Sequence, residues 1–233
     1  MENALAPNQA LAKMLASWLA GTILTAALLF SSAGKLDWAL GWLFIAAWSL
    51  LKLVFIIHLR RHDPNLLIER VTRHENAQPY DRIIIPIYFV LAFGTIVVAG
   101  LDGGRFHWSG KLPISIVILS YIIYLFGNGL ASWAVNSNPF FSAESRLQFE
   151  RQQKVTNTGP YHFVRHPAYL AAIILWPVTG AMVNSWWAAI PGLLTAVMMF
   201  IRTIYEDRML QKELAGYKEY ARQVRYRLFP GVW

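Results

Sequence analysis

Two short stretches of the chain concentrate side chains able to bind or move chemical groups. The first, TNTGPYHFVRHPAYL from Thr156 to Leu170, packs Asn157, Thr158, Tyr161, His162, Arg165, His166 and Tyr169 into one segment. Gly159-Pro160 forces a turn, and Pro167 biases His166 toward an extended backbone while suiting the first turn of a helix. A loop delivered onto a helix N-terminus presents unsatisfied N–H groups and the positive end of the helix dipole, a setting for a carboxylate or a phosphate. The plainer alternative is that the Arg and the two His only touch lipid headgroups. The second stretch holds Arg202, Glu206, Asp207, Glu213, Tyr217 and Tyr220. Glu206 and Glu213, seven apart, fall on one helix face, and Arg202 lies one turn before Glu206. Charges at the edge of an apolar run are costly unless paired or used, so the competing reading is an Arg202–Glu206 ion pair that ends a span.

The elements that must position these clusters are membrane helices. The chain has 233 residues, is 56% hydrophobic and only 15% charged, and includes ten Trp, ten Tyr and thirteen Phe. That is far from the roughly 25% charged composition of soluble domains. A bilayer core of about 30 Å takes about 20 apolar residues per helix. Leu11 to Phe30, Trp38 to Leu59, Ile83 to Leu101 and Leu112 to Val135 qualify, with breaks expected at Gly34, Asp102-Gly103-Gly104 and Asn138-Pro139. Ala168 to Val183 is short, and Trp186 to Ile204 follows it after Asn184-Ser185, so the pair reads as a helical hairpin. From Tyr205 to Val224, apolar positions at three-to-five spacing alternate with Arg208, Lys212, Lys218 and Arg222, the pattern of an amphipathic helix. The expected fold is therefore all-α and polytopic, with about six transmembrane helices including the short C-terminal hairpin, plus a cytoplasmic amphipathic C-terminal helix.

Charge sets the orientation and removes several function classes. The net charge is +8 and there is no Cys, which excludes disulfides, cysteine-ligated metal and a thiol nucleophile; no metal site is expected. The positive charge sits in blocks between apolar runs, which suits anionic lipid headgroups and argues against nucleic acid. Arg60, Arg61, Arg70, Arg73 and Arg82 fill one loop, Arg146, Arg151, Lys154 and Arg165 another, and seven more Lys and Arg follow Ile201. The positive-inside rule places both loops and both termini in the cytoplasm. Glu2, a lone Lys13 and an apolar run long for a signal peptide point to a retained first helix. Lys52, Asn128 and Asn136 sit in or beside spans, where they either line a polar path or bridge helices. Trp186-Trp187 and Trp233 read as interfacial aromatics.

GPYHFVRHPAY from Gly159 to Tyr169, a short apolar hairpin, RTIYEDRMLQKELAGYKEY from Arg202 to Tyr220 and the terminal RYRLFPGVW follow one another in an order that resembles the isoprenylcysteine carboxyl methyltransferase and phospholipid methyltransferase superfamily of integral membrane enzymes. The preceding NPFFSAESRLQFERQQKVTNTGPY is similar to its bacterial branch. The resemblance covers roughly residues 136–233 and divides the chain into N-terminal membrane helices, 1–135, and a cofactor-binding methyltransferase core, 136–233. The family's paired acidic residues, usually Glu-Glu, are Glu206-Asp207 here.

The resemblance implies S-adenosylmethionine as cofactor, with a motif carried onto Tyr161, Val164, Arg165, His166, Pro167, Tyr169 and Leu170 and the acidic pair onto Glu206 and Asp207. The chemistry agrees. Glu206 suits the cofactor's ammonium, His166 and the helix-start N–H groups its carboxylate, and Val164, Leu170 and Tyr217 its adenine. Methyl transfer is an in-line displacement that gains most from positioning and water exclusion. An acceptor carboxylate, possible for a prenylcysteine-like substrate, needs no base and would be held by Arg202 or Arg225; an acceptor amine would need a carboxylate such as Glu213. The expected partners are membrane lipids and a lipophilic or lipidated acceptor. Two rivals remain: an NADPH-dependent membrane reductase of the sterol-reductase type, which shares an RHP-containing C-terminal region, and a non-catalytic transporter or accessory protein.

Overall fold

The computed structural model describes residues 6–72 and 78–233; Glu2 and Arg73 lie outside them. Among the described residues every regular element is helical: α1 Pro7–Ala33, α2 Ala39–His62, α3 Pro64–Val71, α4 Asp81–Ala99, α5 Ile114–Ser137, α6 Pro167–Thr179, α7 Ala189–Glu213 and α8 Tyr217–Gln223. Five segments among the described residues are long and apolar enough to cross a membrane: α1, α2, α4 with its extension to Phe106, α5 and α7. A helix satisfies its own backbone in lipid, which is why long apolar runs take this form. Ile23, Val54, Val90, Phe126 and Leu193 stand exposed along these helices, as lipid-facing side chains do.

Two boundaries differ from the sequence reading. Asp102-Gly103-Gly104 does not break the third span: α4 runs on as a π-helical segment, Gly100–Phe106. Asp102 is fully buried and accepts hydrogen bonds from the Ser109 N–H and hydroxyl, the Ser185 hydroxyl and the Trp187 N–H. A Cβ on Gly103 would stand 2.0 Å from the Val183 carbonyl oxygen, so glycine here allows close packing rather than a turn. The hairpin's first arm is short, as expected. Even counted with the 3₁₀ turn Ala181–Val183, it is about 26 Å long at 1.5 Å per residue. Its tip nevertheless reaches the end of the bundle opposite the polar clusters, where Asn184 accepts from the Leu112 N–H at 2.7 Å and donates to the Gly110 carbonyl at 2.7 Å. The amphipathic segment from Tyr205 to Val224 is not one helix. α7 continues to Glu213, Gly216 adopts φ +80°, and α8 turns back so that Tyr217 and Tyr220 are buried. Its aromatic face therefore packs inside the protein instead of lying on the membrane.

The polar clusters meet at the other end. α6 lies between α5 and α7, and α4 packs along α7. Residues 138–166 form a long connection without α-helix that folds over this end. It is pinned from both sides: Arg146 pairs with Glu69 of α3 at 2.7 Å and with Glu150 at 2.6 Å, and the Ser145 N–H donates to Asp81 at 2.6 Å. The C-terminal tail is tied to the same place by the Arg165 and His166 N–H groups, which donate to the Tyr226 and Arg227 carbonyls at 2.9 Å each. Trp233 lies against the protein too, stacked on Phe200 at 4.4 Å with Arg227 over its ring.

Candidate active site

His166 organises the site. It is the N-cap of α6, directly before Pro167, with φ −129° and ψ 61° rather than the extended backbone expected from the sequence, and its ring is stacked parallel to Tyr169. One ring nitrogen lies 3.3 Å from an Asp207 oxygen and 3.4 Å from the Tyr217 hydroxyl, and the other lies 3.9 Å from Glu206. The imidazole thus bridges two neighbouring carboxylates of α7 that have very different surroundings.

Asp207 is inaccessible and saturated. Arg165 grips it with two nitrogens at 2.8 and 3.2 Å, Arg227 donates at 2.8 Å, Gln211 at 2.7 Å and the Tyr217 hydroxyl at 3.1 Å. Arg165 also donates to the Val224 and Arg225 carbonyls at 2.8 Å each, so one cation joins the loop, α7 and the tail. Burial raises the pKa of the Tyr217 phenol and the neighbouring Asp207 charge adds to the rise, which keeps it a neutral donor. Glu206 is different: it accepts from the Ser145 hydroxyl at 2.6 Å and from the Tyr169 hydroxyl, and it faces a cavity.

That cavity is bounded by the 138–156 connection, the start of α6, α7 and α8. Tyr161, Arg165, His166, Ala168, Tyr169, Glu206 and Tyr217 line it together with Phe140, Val155, Met209 and Leu214. A second cavity of about 480 Å³ adjoins it toward the membrane helices. The two share Phe141, Ser142, Glu144, Ala168 and Tyr169. A third, about 430 Å³ and walled by Trp18, Phe44, Trp48, Phe93 and Trp176, continues from the second through Lys52, Tyr88 and Asn128.

Residues 115–216 match the family model of phospholipid methyltransferases. That segment is similar to membrane methyltransferases over somewhat less than half of the chain. This agrees with the resemblance to the isoprenylcysteine carboxyl and phospholipid methyltransferase superfamily, and the matched segment holds α5, α6, α7 and the loop between them. No curated protein matches the sequence. Among solved structures, a eukaryotic intramembrane Ras methyltransferase, an isoprenylcysteine carboxyl methyltransferase, aligns with a TM-score of 0.47 and 16% identity over 81% of this chain and 67% of that one.

Within and beside the matched segment, the expected site residues fall into three groups. Tyr161, Arg165, His166, Tyr169, Glu206 and Tyr217 line the polar cavity. Val164, Pro167, Leu170 and Asp207 do not reach its wall: Val164, Pro167 and Asp207 are buried around it, and the Leu170 N–H closes the first turn of α6 on the His166 carbonyl. Arg202, Glu213 and Arg225 are dispersed. Arg202 lines the second cavity, but its ion-pair partner is Asp81, at 2.9 and 2.8 Å, not Glu206. Glu213 is exposed at the end of α7, and Arg225 lies on an outward patch with Lys218, Arg222 and Arg227. Sequence reasoning passed over Asp81 and Ser145. An Asp opening an apolar run was the available signal for the first, whereas nothing local marks a loop Ser as the partner of Glu206.

Proposed function

We propose that the protein is an S-adenosylmethionine-dependent methyltransferase whose cofactor lies in the polar cavity and whose lipophilic or amphipathic acceptor enters the membrane-side cavities. The observation that carries this reading is the shared wall. Tyr169 and Ala168 border both cavities, so a polar charged ligand on one side and an apolar one on the other meet at the start of α6.

The residues fit the cofactor's chemistry. Glu206 is a cavity-facing carboxylate for its ammonium, held in place by Ser145 and Tyr169. His166 and the α6 N-terminus suit its carboxylate, and Tyr217, Leu214 and Met209 offer an apolar shelf for its adenine. When bound, S-adenosylmethionine supplies a methyl carbon activated by its sulfonium, so the acceptor's lone pair forms the new bond while the C–S bond breaks and its electrons stay on sulfur. The protein's part is positioning and exclusion of water. Asp207 holds His166 and Arg165 in register, and the 138–156 connection covers the cavity. Arg202, with its guanidinium fixed by Asp81 and the Ala143 carbonyl at 2.9 Å, presents a cation to the acceptor side. An already ionised acceptor carboxylate, such as that of a prenylcysteine-like compound, needs no base, and Glu213 and Arg225 contact neither cavity.

Calorimetry of the full chain in nanodiscs tests the reading. S-adenosylhomocysteine should bind saturably and NADPH should not; the reverse would make the protein a reductase. Lys and Arg placement supports a site on the cytoplasmic face. A cysteine introduced at the exposed Phe149 of the 138–156 connection should resist impermeant thiol reagents in intact cells and react after lysis, whereas labelling from outside would invert the topology.

A further inference from the structure

Each guanidinium that lines the polar cavity has a carboxylate: Arg165 has Asp207 and Arg146 has Glu69. The second cavity breaks this pattern. Lys52, in the middle of α2, and Arg70, on α3, both line it, and among the described residues neither has an ion-pair or hydrogen-bond partner. Lys52 rests 3.6 Å above the Trp48 ring. The Arg70 guanidinium lies between Phe55 at 5.5 Å and Phe141 at 5.3 Å, and its Nη1 is sealed from solvent without an acceptor.

Burial of a cation without an anion is costly, and aromatic faces offset only part of that cost. Burial pushes the Arg70 guanidinium down to about 10. At neutral pH it still carries its proton, so the cavity wall presents an uncompensated positive charge. The cavity's other charged members are committed: Arg202 to Asp81, and Glu144, on the wall shared with the polar cavity, to a contact of its own.

We propose that Lys52 and Arg70 form an anion-binding site that recognises the phosphate or carboxylate of an amphiphile, with its apolar chain in the adjoining cavity. The continuity of the two spaces is the second observation behind this assignment: Lys52 lies where the second cavity opens into the third, which Trp18, Phe44, Phe93 and Ile96 line between the spans. A small inorganic anion would leave that apolar volume unused. An amphiphile fills both. The site stands on α2 and α3, before the segment that matches the methyltransferase family. It deepens the proposed function by naming the charge of the acceptor, and it rests on that reading only for the claim that the bound amphiphile receives the methyl group.

The test uses the full chain in phosphatidylcholine nanodiscs with three probes: dodecyl phosphate, dodecanol and inorganic phosphate. Dodecyl phosphate should bind saturably and at least about tenfold more tightly than dodecanol, as expected for a charge-assisted contact in a partly dry site. Inorganic phosphate should compete only weakly. Lys52→Gln and Arg70→Gln should each erase most of the preference for phosphate over alcohol, and Arg70→Lys should retain more of it. Equal binding of dodecyl phosphate and dodecanol to the parent protein overturns the site without any variant, so a variant that fails to fold leaves the proposal exposed to disproof. Inorganic phosphate binding as tightly as dodecyl phosphate overturns the amphiphile. S-adenosylhomocysteine titrated into the same samples separates the two readings. Its failure to bind the parent sinks the cofactor assignment while the dodecyl phosphate result stands by itself, and in the Lys52 and Arg70 variants its affinity should stay within about twofold.

Discussion

The two adjoining cavities handle buried charge in opposite ways. Around the polar one, each lining guanidinium is locked to a carboxylate, and Asp207 alone receives Arg165, Arg227, Gln211 and Tyr217. Around the membrane-side one, Lys52 and Arg70 meet only aromatic rings. Saturated charges build a rigid frame, whereas unsatisfied ones hold interaction energy for a ligand. Glu206 and Asp207 repeat the contrast within one helical turn, since the first opens onto a cavity and the second is enclosed by donors. Adjacent acids in a sequence motif therefore need not share a role.

The largest test of this contrast is Asp207→Ala. Removing the carboxylate leaves Arg165 and Arg227 facing an empty centre, and should cost about 3–5 kcal/mol of stability, measured by denaturant unfolding in detergent micelles. A loss under about 1 kcal/mol would mean that Asp207 does not organise the tail. A double-mutant cycle of Arg202→Ala and Asp81→Ala should give a coupling of about 2–3 kcal/mol, as for groups in direct buried contact. Arg202→Ala should leave S-adenosylhomocysteine affinity within about threefold while methyl transfer to a lipophilic acceptor is lost. A drop in cofactor affinity would move Arg202 to the cofactor side of the shared wall.

Glu206→Gln and His166→Ala sharpen the other half of the contrast. Each should weaken S-adenosylhomocysteine binding by about tenfold, or about 1.4 kcal/mol, by calorimetry. Glu206→Gln should destabilise the fold far less than Asp207→Ala. The smallest expected effect is that of Arg225→Ala, whose side chain lies on the outward patch: stability should change by less than about 0.5 kcal/mol. A larger change, or lost cofactor binding, would bring the tail into the site.

The sequence by itself determined the helical membrane class, the span centres, the short hairpin and the polar cavity wall from Tyr161 to Tyr217. Those features are local: apolar run length, a Gly-Pro turn, a Pro at a helix start and acids beside a span act on their own neighbours. It misjudged Asp102-Gly103-Gly104 because composition marks a turn there, while the donors that hold the Asp102 carboxylate come from Ser109, Ser185 and Trp187. It read Tyr205 to Val224 as one helix because periodicity cannot see the left-handed Gly216 or the cavity that the tyrosines line. Only the tertiary structure decided who pairs with whom. Asp81 and Arg202 are 121 residues apart, Glu69 and Arg146 are 77 apart, and Lys52 and Arg70 meet at one wall from different helices. A charge's partner is set by packing across the bundle, and the energy that separates a structural ion pair from an unpaired buried cation depends on that partner, not on the residue's neighbours in the chain.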